Sequence, residues 1–183
     1  MKRRIFIAIL LPEDIKKDIV DWQKNHLYLQ VRWIKPENLH ITLAPPWYAD
    51  ENELHETVKV IIESIREFPS FEVDFKDIFP GPPGNAPRLI WAEGKTPEEF
   101  ISLKERVENS LFDNKTGFLR KEKRQPKLHL TVARFNPAMA KLPEFREKIN
   151  WNFIAEKAAL MQSQLKRGGA EYAVLQKFIL KNK

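Results

Sequence analysis

The sequence predicts an α+β fold in which two similar antiparallel sheets, flanked by helices, face each other across a central cleft. Three observations support it. The order strand, helix, strand, helix, strand occurs loosely twice in the 183 residues. The order of the predicted elements implies few right-handed strand–helix–strand crossovers, which favours antiparallel sheets. A short apolar segment with the same pattern occurs once in each half, at 39–43 and at 128–132. We therefore expect residues 1–183 to form a single bilobal domain of two interleaved lobes.

The first half contains five predicted elements. Alternating apolar residues predict strands, and Pro12 begins a helix whose first turn holds Glu13 and Asp14, where acidic side chains suit the helix dipole. Asp50 is the candidate N-cap of a second helix. The elements are a strand over 3–11, a helix from residue 12, short strands over 31–34 and 39–43, and a helix over 51–67.

The second half is divided by its prolines and glycines. Segment 80–87 contains four prolines and two glycines, which interrupt regular structure. Thr96, followed by Pro97, is a candidate N-cap for the next helix. The predicted elements are strands over 71–79 and 88–92, a helix from 97 to about 112, a strand over 127–134, a short helix near 143–149, and strands around 152–164 and 171–180.

The two repeated apolar segments each contain His-x-Thr. Alternate side chains of a strand share one face, so His40 would stand beside Thr42, and His129 beside Thr131, with apolar neighbours packed behind them. The chain has only four His and five Thr, so we interpret the two segments as halves of one site. An imidazole beside a hydroxyl, presented twice, suits metal-free chemistry at a phosphodiester.

The positive charge of the chain is concentrated in one segment. Residues 115–134 hold seven basic residues and one acidic residue, a net of +6, which equals the net charge of the whole chain. A basic segment that leads into the second His-x-Thr strand favours a polyanion such as RNA as the partner. The candidate RNA contacts are Arg120, Lys121, Lys123, Arg124 and Lys127.

Composition excludes several other classes of site. The chain has no cysteine, which excludes disulfides, thiolate catalysis and cysteine-ligated zinc and favours a cytoplasmic location. No apolar stretch approaches the ~18 residues of a membrane span. Neither motif has Asp or Glu at ligand spacing, so we expect neither a metal nor another cofactor.

These residues resemble the 2H phosphoesterase superfamily, in its RNA 2′,3′-cyclic phosphodiesterase branch of 2′-5′ RNA ligase-like proteins. The resemblance covers nearly the whole chain and is carried by segments 4–9, 33–43, 87–91, 128–134 and 160–165. It implies a bilobal fold with pseudo-twofold symmetry and the hydrolysis of an RNA 2′,3′-cyclic phosphate to a 2′-phosphomonoester. By position, His40 corresponds to the proton donor and His129 to the proton acceptor.

The chemistry of these residues agrees with such a reaction, but residue types alone do not show which histidine is the acid and which is the base. Opening a cyclic phosphate with water needs one base and one acid, and a histidine near its ordinary pKa of ~6.5 can be either. Thr42 and Thr131 would donate hydrogen bonds to the non-bridging oxygens. Arg134 is a further candidate phosphate ligand, although simple alternation puts it on the face of Val132, so this role requires a twist or a bulge.

Alternatives remain open at this point. The chain could be a non-catalytic RNA-binding module or a phosphodiesterase for a small cyclic nucleotide, and reversible 2′-5′ ligation of RNA ends is a close variant of the hydrolysis. We expect a monomer that acts on RNA with 2′,3′-cyclic phosphate or 2′-phosphate ends, tRNA fragments among them. One departure from the family concerns Pro45 and Pro46, which we expect to force a different exit from the first motif strand.

Overall fold

The computed structural model describes residues 1–82, 87–119, 125–136, 138, 142–166 and 169–182. Nine strands, three α-helices and one short 3₁₀ helix (Pro36–Asn38) occur within these ranges. The strands and α-helices are β1 (Arg3–Leu10), α1 (Glu13–Asn25), β2 (Arg32–Trp33), β3 (His40–Ala49), α2 (Glu51–Ile65), β4 (Phe71–Gly81), β5 (Leu89–Glu93), α3 (Glu98–Asp113), β6 (His129–Arg134), β7 (Glu147–Ala155), β8 (Lys157–Lys166) and β9 (Gly169–Ile179).

The strands form two antiparallel sheets, as predicted. The four-stranded sheet has the order β3-β1-β8-β9, and the five-stranded sheet has the order β2-β6-β5-β4-β7. The chain interleaves them, because β2 lies between β1 and β3 in sequence but belongs to the other sheet. Strands β8 and β9 then return to the sheet in which the chain began. Each His-x-Thr strand therefore lies in a different sheet.

The spacing of apolar residues, every second position in strands and every third or fourth in helices, determines which face of each element is buried. Ile5, Ile7 and Ile9 of β1 are fully buried in the main core, and the intervening side chains face the other way. Helix α2 begins with the predicted cap, in which the Asp50 carboxylate accepts the Glu53 N–H at 3.0 Å and the Glu53 carboxylate accepts the Asp50 N–H. No helix in the described ranges is long and apolar enough to cross a membrane.

Two of the predicted elements and one predicted helix cap are wrong. The helix near 143–149 does not form, because Trp151, Phe153 and Ala155 alternate with exposed residues and pair as strand β7, which begins at residue 147. The predicted strand 152–164 is two strands, separated at residue 156. Thr96 does not cap α3, whose N-cap is residue 97. Its hydroxyl instead accepts the N–H of Leu128 at 3.0 Å.

Strand β3 also differs from expectation, because it continues through Pro45 and Pro46 rather than ending before them. β3 is an edge strand, where a missing N–H is tolerated. The Leu43 carbonyl accepts a hydrogen bond from Lys104 Nζ of α3 at 2.7 Å. The same ammonium is paired with Glu108 at 2.8 Å. Both members of this pair are buried, at 4% and 5% exposure, and they fix α3 against the first motif strand.

We expect Lys104→Met to lower the free energy of unfolding by about 3–5 kcal/mol, because it removes the cation from beside the buried Glu108 carboxylate. The double variant with Glu108→Leu should recover part of this loss, since the buried carboxylate is then removed as well. Urea denaturation measures both. Lys59→Met, in an exposed pair with Glu56, is the matched control and should change stability by less than about 1 kcal/mol. A double variant no more stable than Lys104→Met would contradict the interpretation.

Candidate active site

His40 is held by its backbone surroundings and by two aromatic rings. Its Nδ1 lies 2.7 Å from the carbonyl oxygen of Asn38. A carbonyl only accepts hydrogen bonds, so Nδ1 carries the hydrogen, and in the neutral ring Nε2 is the basic atom. The ring centroid lies 4.9 Å from that of Phe6 and 5.2 Å from that of Tyr172, nearly perpendicular to it. The imidazole thus has one tautomer and one orientation.

Asn38 is itself fixed by the last strand of the chain. Its side-chain amide donates to the carbonyl of Ala170 at 3.2 Å, and its side-chain oxygen accepts the N–H of Tyr172 at 3.2 Å. Asn38 is buried, so these hydrogen bonds replace water that the amide has lost. Strand β9 therefore positions the carbonyl that orients His40. Local sequence patterns do not reveal this role of Asn38, because its partners lie more than 130 residues away.

His129 has a closely similar setting in the five-stranded sheet. Its Nδ1 lies 3.0 Å from the carbonyl oxygen of Lys127, again two residues earlier. Trp91 takes the place of Phe6, with ring centroids 4.8 Å apart. The Lys127 ammonium is paired with Glu93 at 2.8 Å. This predicted RNA contact is thus engaged in an ion pair that anchors the segment before His129.

A β-bulge follows the first His-x-Thr. Thr42 is opposite Ala8 and Ala44 is opposite Ile7, so that Leu43 is an extra residue in β3. A bulge reverses the alternation of side chains beyond it. Leu43 and Ala44 are accordingly both fully buried, although they are neighbours in a strand.

The second His-x-Thr is followed by the same bulge. Val132 is the extra residue between the pairings of β6 with Trp91 and Ile90. Beyond it, Arg134 lies on the face of Thr131 rather than on the face of Val132. The bulge that a phosphate role for Arg134 requires is therefore present, at the corresponding position in both motif strands.

Electrostatic interactions connect these residues across the cleft. The pKa of His40 is lowered to about 4, mainly because burial disfavours its charged form, and further by the positive charges of Arg134 and His129. The hydrogen bond to Asn38 acts in the opposite direction. Arg134, Asn38 and Tyr172 line a common cavity of about 910 Å³. Both motif strands thus contribute to one electrostatically coupled site.

The remaining predicted residues are placed as follows. The Thr42 and Thr131 side chains are partly buried in their strands. In the described part of the chain, no cluster of three or more His, Cys, Asp or Glu is arranged to hold a metal ion. Four predicted RNA contacts lie outside the described residues: Arg120, Lys121, Lys123 and Arg124.

The chain is similar in sequence and in structure to proteins that are already known. The sequence model of the 2′-5′ RNA ligase superfamily matches residues 11–167. The RNA 2′,3′-cyclic phosphodiesterase of Methanocaldococcus jannaschii is 29% identical over 181 residues, 96% of this chain and 99% of that protein. Its counterpart of the same name in Thermotoga maritima is 28% identical over 178 residues, 94% and 92% of the two chains. The crystal structure of TT0787 of Thermus thermophilus superposes with a TM-score of 0.82 at 25% identity, covering 98% and 99% of the two chains.

We expect the His40 imidazole to titrate at about pH 4 and to be neutral at pH 7. Arg134→Met should raise this pKa, because protonation then no longer brings a second positive charge near the guanidinium. Proton NMR of the imidazole resonances against pH measures both values. Arg66→Met removes an exposed arginine next to α2 and should leave the pKa of His40 unchanged. An equal shift in both variants would show that Arg134 does not act locally.

Proposed function

This chain belongs to the 2′-5′ RNA ligase superfamily, and on that premise we propose that it hydrolyses RNA 2′,3′-cyclic phosphodiesters to 2′-phosphomonoesters. The names of its relatives support the substrate class. The observation that carries the proposal is the matched setting of His40 and His129. Each donates from Nδ1 to a carbonyl two residues earlier, and each therefore has Nε2 available for proton transfer.

We propose the following steps for the reaction. Water attacks the phosphorus and loses a proton to His129, while the bond from phosphorus to the ribose 3′ oxygen breaks. His40 donates a proton to that oxygen, so that the phosphate remains on the 2′ oxygen. Afterwards His129 is protonated and His40 is neutral, and proton exchange with solvent restores both. The division of roles follows the family resemblance.

The low pKa of His40 adds a condition to this assignment. A donor must carry its proton, whereas a pKa of about 4 leaves the imidazole neutral at pH 7. An anionic phosphate beside the ring favours the charged form and raises the pKa. We therefore propose that His40 takes up its proton when the substrate binds. The charge of the substrate would create the acid that the reaction needs.

Thr42, Thr131 and Arg134 complete the proposed site. The two hydroxyls would donate hydrogen bonds to the non-bridging oxygens, where negative charge increases in the transition state. Arg134 would neutralise the same charge, and its guanidinium suits two phosphate oxygens at once. The bulge after Thr131 supports this role, because it turns Arg134 toward the face of the motif.

Several finer expectations belong to the same proposal. The pair that activates water would also activate a 5′-hydroxyl, which would give reversible 2′-5′ ligation of RNA ends. We further propose a monomer in the cytoplasm, without metal or other cofactor, in which residues 1–183 act as one domain. The interleaving of the two sheets supports the single domain, because neither sheet consists of consecutive strands. Fragments of tRNA are among the RNA ends that it would accept.

The test uses a short RNA that ends in a 2′,3′-cyclic phosphate, incubated in EDTA with the wild type, His40→Gln and His129→Gln. We expect the wild type to yield the 2′-phosphate and each variant to be slower by about 10²–10⁴-fold, the usual contribution of a general acid or base. His55→Gln is the matched control, because His55 is exposed on α2. Products are resolved by the position of the phosphate.

Each alternative predicts a different result. RNA binding without turnover would favour the non-catalytic module, and turnover of only a free cyclic nucleotide would favour the small-molecule enzyme. Activity that is abolished by EDTA and restored by a divalent ion would contradict the metal-free mechanism. Equal activity of His40→Gln and His55→Gln would remove His40 from the reaction.

A second measurement tests the proton uptake. We expect saturating adenosine 2′-phosphate, the product of the smallest substrate, to raise the pKa of His40 above its ligand-free value of about 4, because the phosphate favours the imidazolium. The imidazole resonances of His40 are followed by NMR with and without the nucleotide. Adenosine is the control ligand, since it has no phosphate. An unchanged pKa with bound nucleotide would exclude His40 as the donor at neutral pH.

A further inference from the structure

We infer that Arg32, Arg88 and Arg134, the arginine cluster, form a second anion site, which binds the phosphate on the 5′ side of the terminal nucleotide. The inference rests on the proposed function and extends it. A site of this kind distinguishes an RNA end from a nucleoside 2′,3′-cyclic phosphate, which has only the reacting phosphate.

The three arginines are neighbours at one end of the five-stranded sheet. Arg32 of β2 is directly opposite Arg134 of β6. Arg88 immediately precedes β5, and its carbonyl accepts the N–H of Phe135 at 3.0 Å. All three side chains are exposed. Like charges on directly opposite strand positions destabilise a sheet, so this arrangement costs stability unless an anion neutralises it.

Among the described residues, no carboxylate forms an ion pair with any member of the arginine cluster. Of the other cations around the larger cavity, Lys166 is paired with Glu171. Arg4 donates to the neutral hydroxyl of Ser163 at 2.6 Å, so its charge, like that of Lys35, adds to the positive potential of this cavity. The arginine cluster differs from these cations because its three guanidinium groups are neighbours at one end of a single sheet.

Two adjoining cavities meet at the cluster. Arg32 and Arg134 line the cavity of about 910 Å³ that Asn38 and Tyr172 also line, and they line a second one of about 570 Å³. Arg88 lines the second cavity, with the amide side chains of Gln30 and Asn136. The second cavity thus offers guanidinium and amide donors. It shares Arg134, a proposed ligand of the reacting phosphate, with the larger cavity.

Gly169 leaves the space that the Arg32 side chain occupies. Its φ is +125°, in the region that glycine favours, and a Cβ there would lie 3.1 Å from Nη1 of Arg32. A larger residue at this position would displace the guanidinium. Glycine at position 169, the first residue of β9, therefore leaves room for the exposed Arg32 side chain.

Substrate connectivity identifies the anion. The cyclic phosphate uses the 2′ and 3′ oxygens of the terminal ribose, so the chain continues only through the 5′ oxygen. The phosphate nearest to the reacting one is therefore the 5′ phosphate, whether it is a monoester or joins another nucleotide. Guanidinium groups bind such phosphates through two parallel hydrogen bonds. Base identity is not needed for this contact.

The experiment compares adenosine 2′,3′-cyclic phosphate with its 5′-phosphorylated form and with the dinucleotide ApA ending in a cyclic phosphate. For the wild type, we expect either 5′ phosphate to raise kcat/KM about tenfold or more, the effect of one charge-assisted hydrogen bond. This ratio should fall toward one in Arg88→Met and Arg32→Met, and it should persist in Arg66→Met. It should also shrink as salt is added.

Two results would overturn the inference: a wild-type ratio near one, or the same ratio in the cluster variants as in Arg66→Met. A preference for the dinucleotide alone would also contradict it and point to base contacts. If no substrate is turned over, the proposed function fails. The arginine cluster can still be tested separately, by calorimetry of nucleotide binding. Adenosine 2′,5′-bisphosphate should bind the wild type about tenfold more tightly than adenosine 2′-phosphate, and Arg88→Met should lose this difference.

Discussion

The alternation of side chains along two strands governs both the core and the cleft. In each His-x-Thr segment, alternate residues face the core or the cleft, and a bulge reverses this order just after the threonine. Packing behind the motif is preserved, since Leu43 and Ala44 are both buried. In β6 the reversal turns Arg134 to the side of His129. The same one-residue bulge thus occurs in both motif strands. In each, it connects residues that pack in the core with residues that face the site, and no further helix or strand is needed.

The electrostatics of the site follow from the same arrangement. A partly buried imidazole between aromatic rings and near an arginine loses its proton easily, so His40 is neutral in the ligand-free protein at pH 7. The positive charges that lower the pKa of His40 also attract a phosphate. The negative charge of a bound phosphate would raise this pKa again. In the proposed mechanism, affinity for an anion and proton uptake by His40 are therefore coupled, because a neutral ligand in the same cleft would not favour the charged imidazole.

Much of the site could be predicted from local patterns, and the rest depends on distant partners. Period two placed His40 with Thr42, and the capping pattern located the start of α2. The bulges could not be predicted, because a register is set by the partner strand. Asn38 was missed because its function comes from hydrogen bonds to β9. The predicted helix at 143–149 overlaps the start of β7, because residues 147–150 contain only one apolar side chain, Ile149, and so carry a weak strand pattern.

The hydrogen bonds of Asn38 have a consequence for biosynthesis. They join residue 38 to residues 170 and 172, so a ribosome must translate more than 130 further codons before the first histidine acquires its final surroundings. Loop closure over such a span is slow. A nascent chain would carry His40 on an incomplete sheet for most of translation. The emergence of strands β8 and β9 would thus decide when His40 acquires its final surroundings in a newly made molecule.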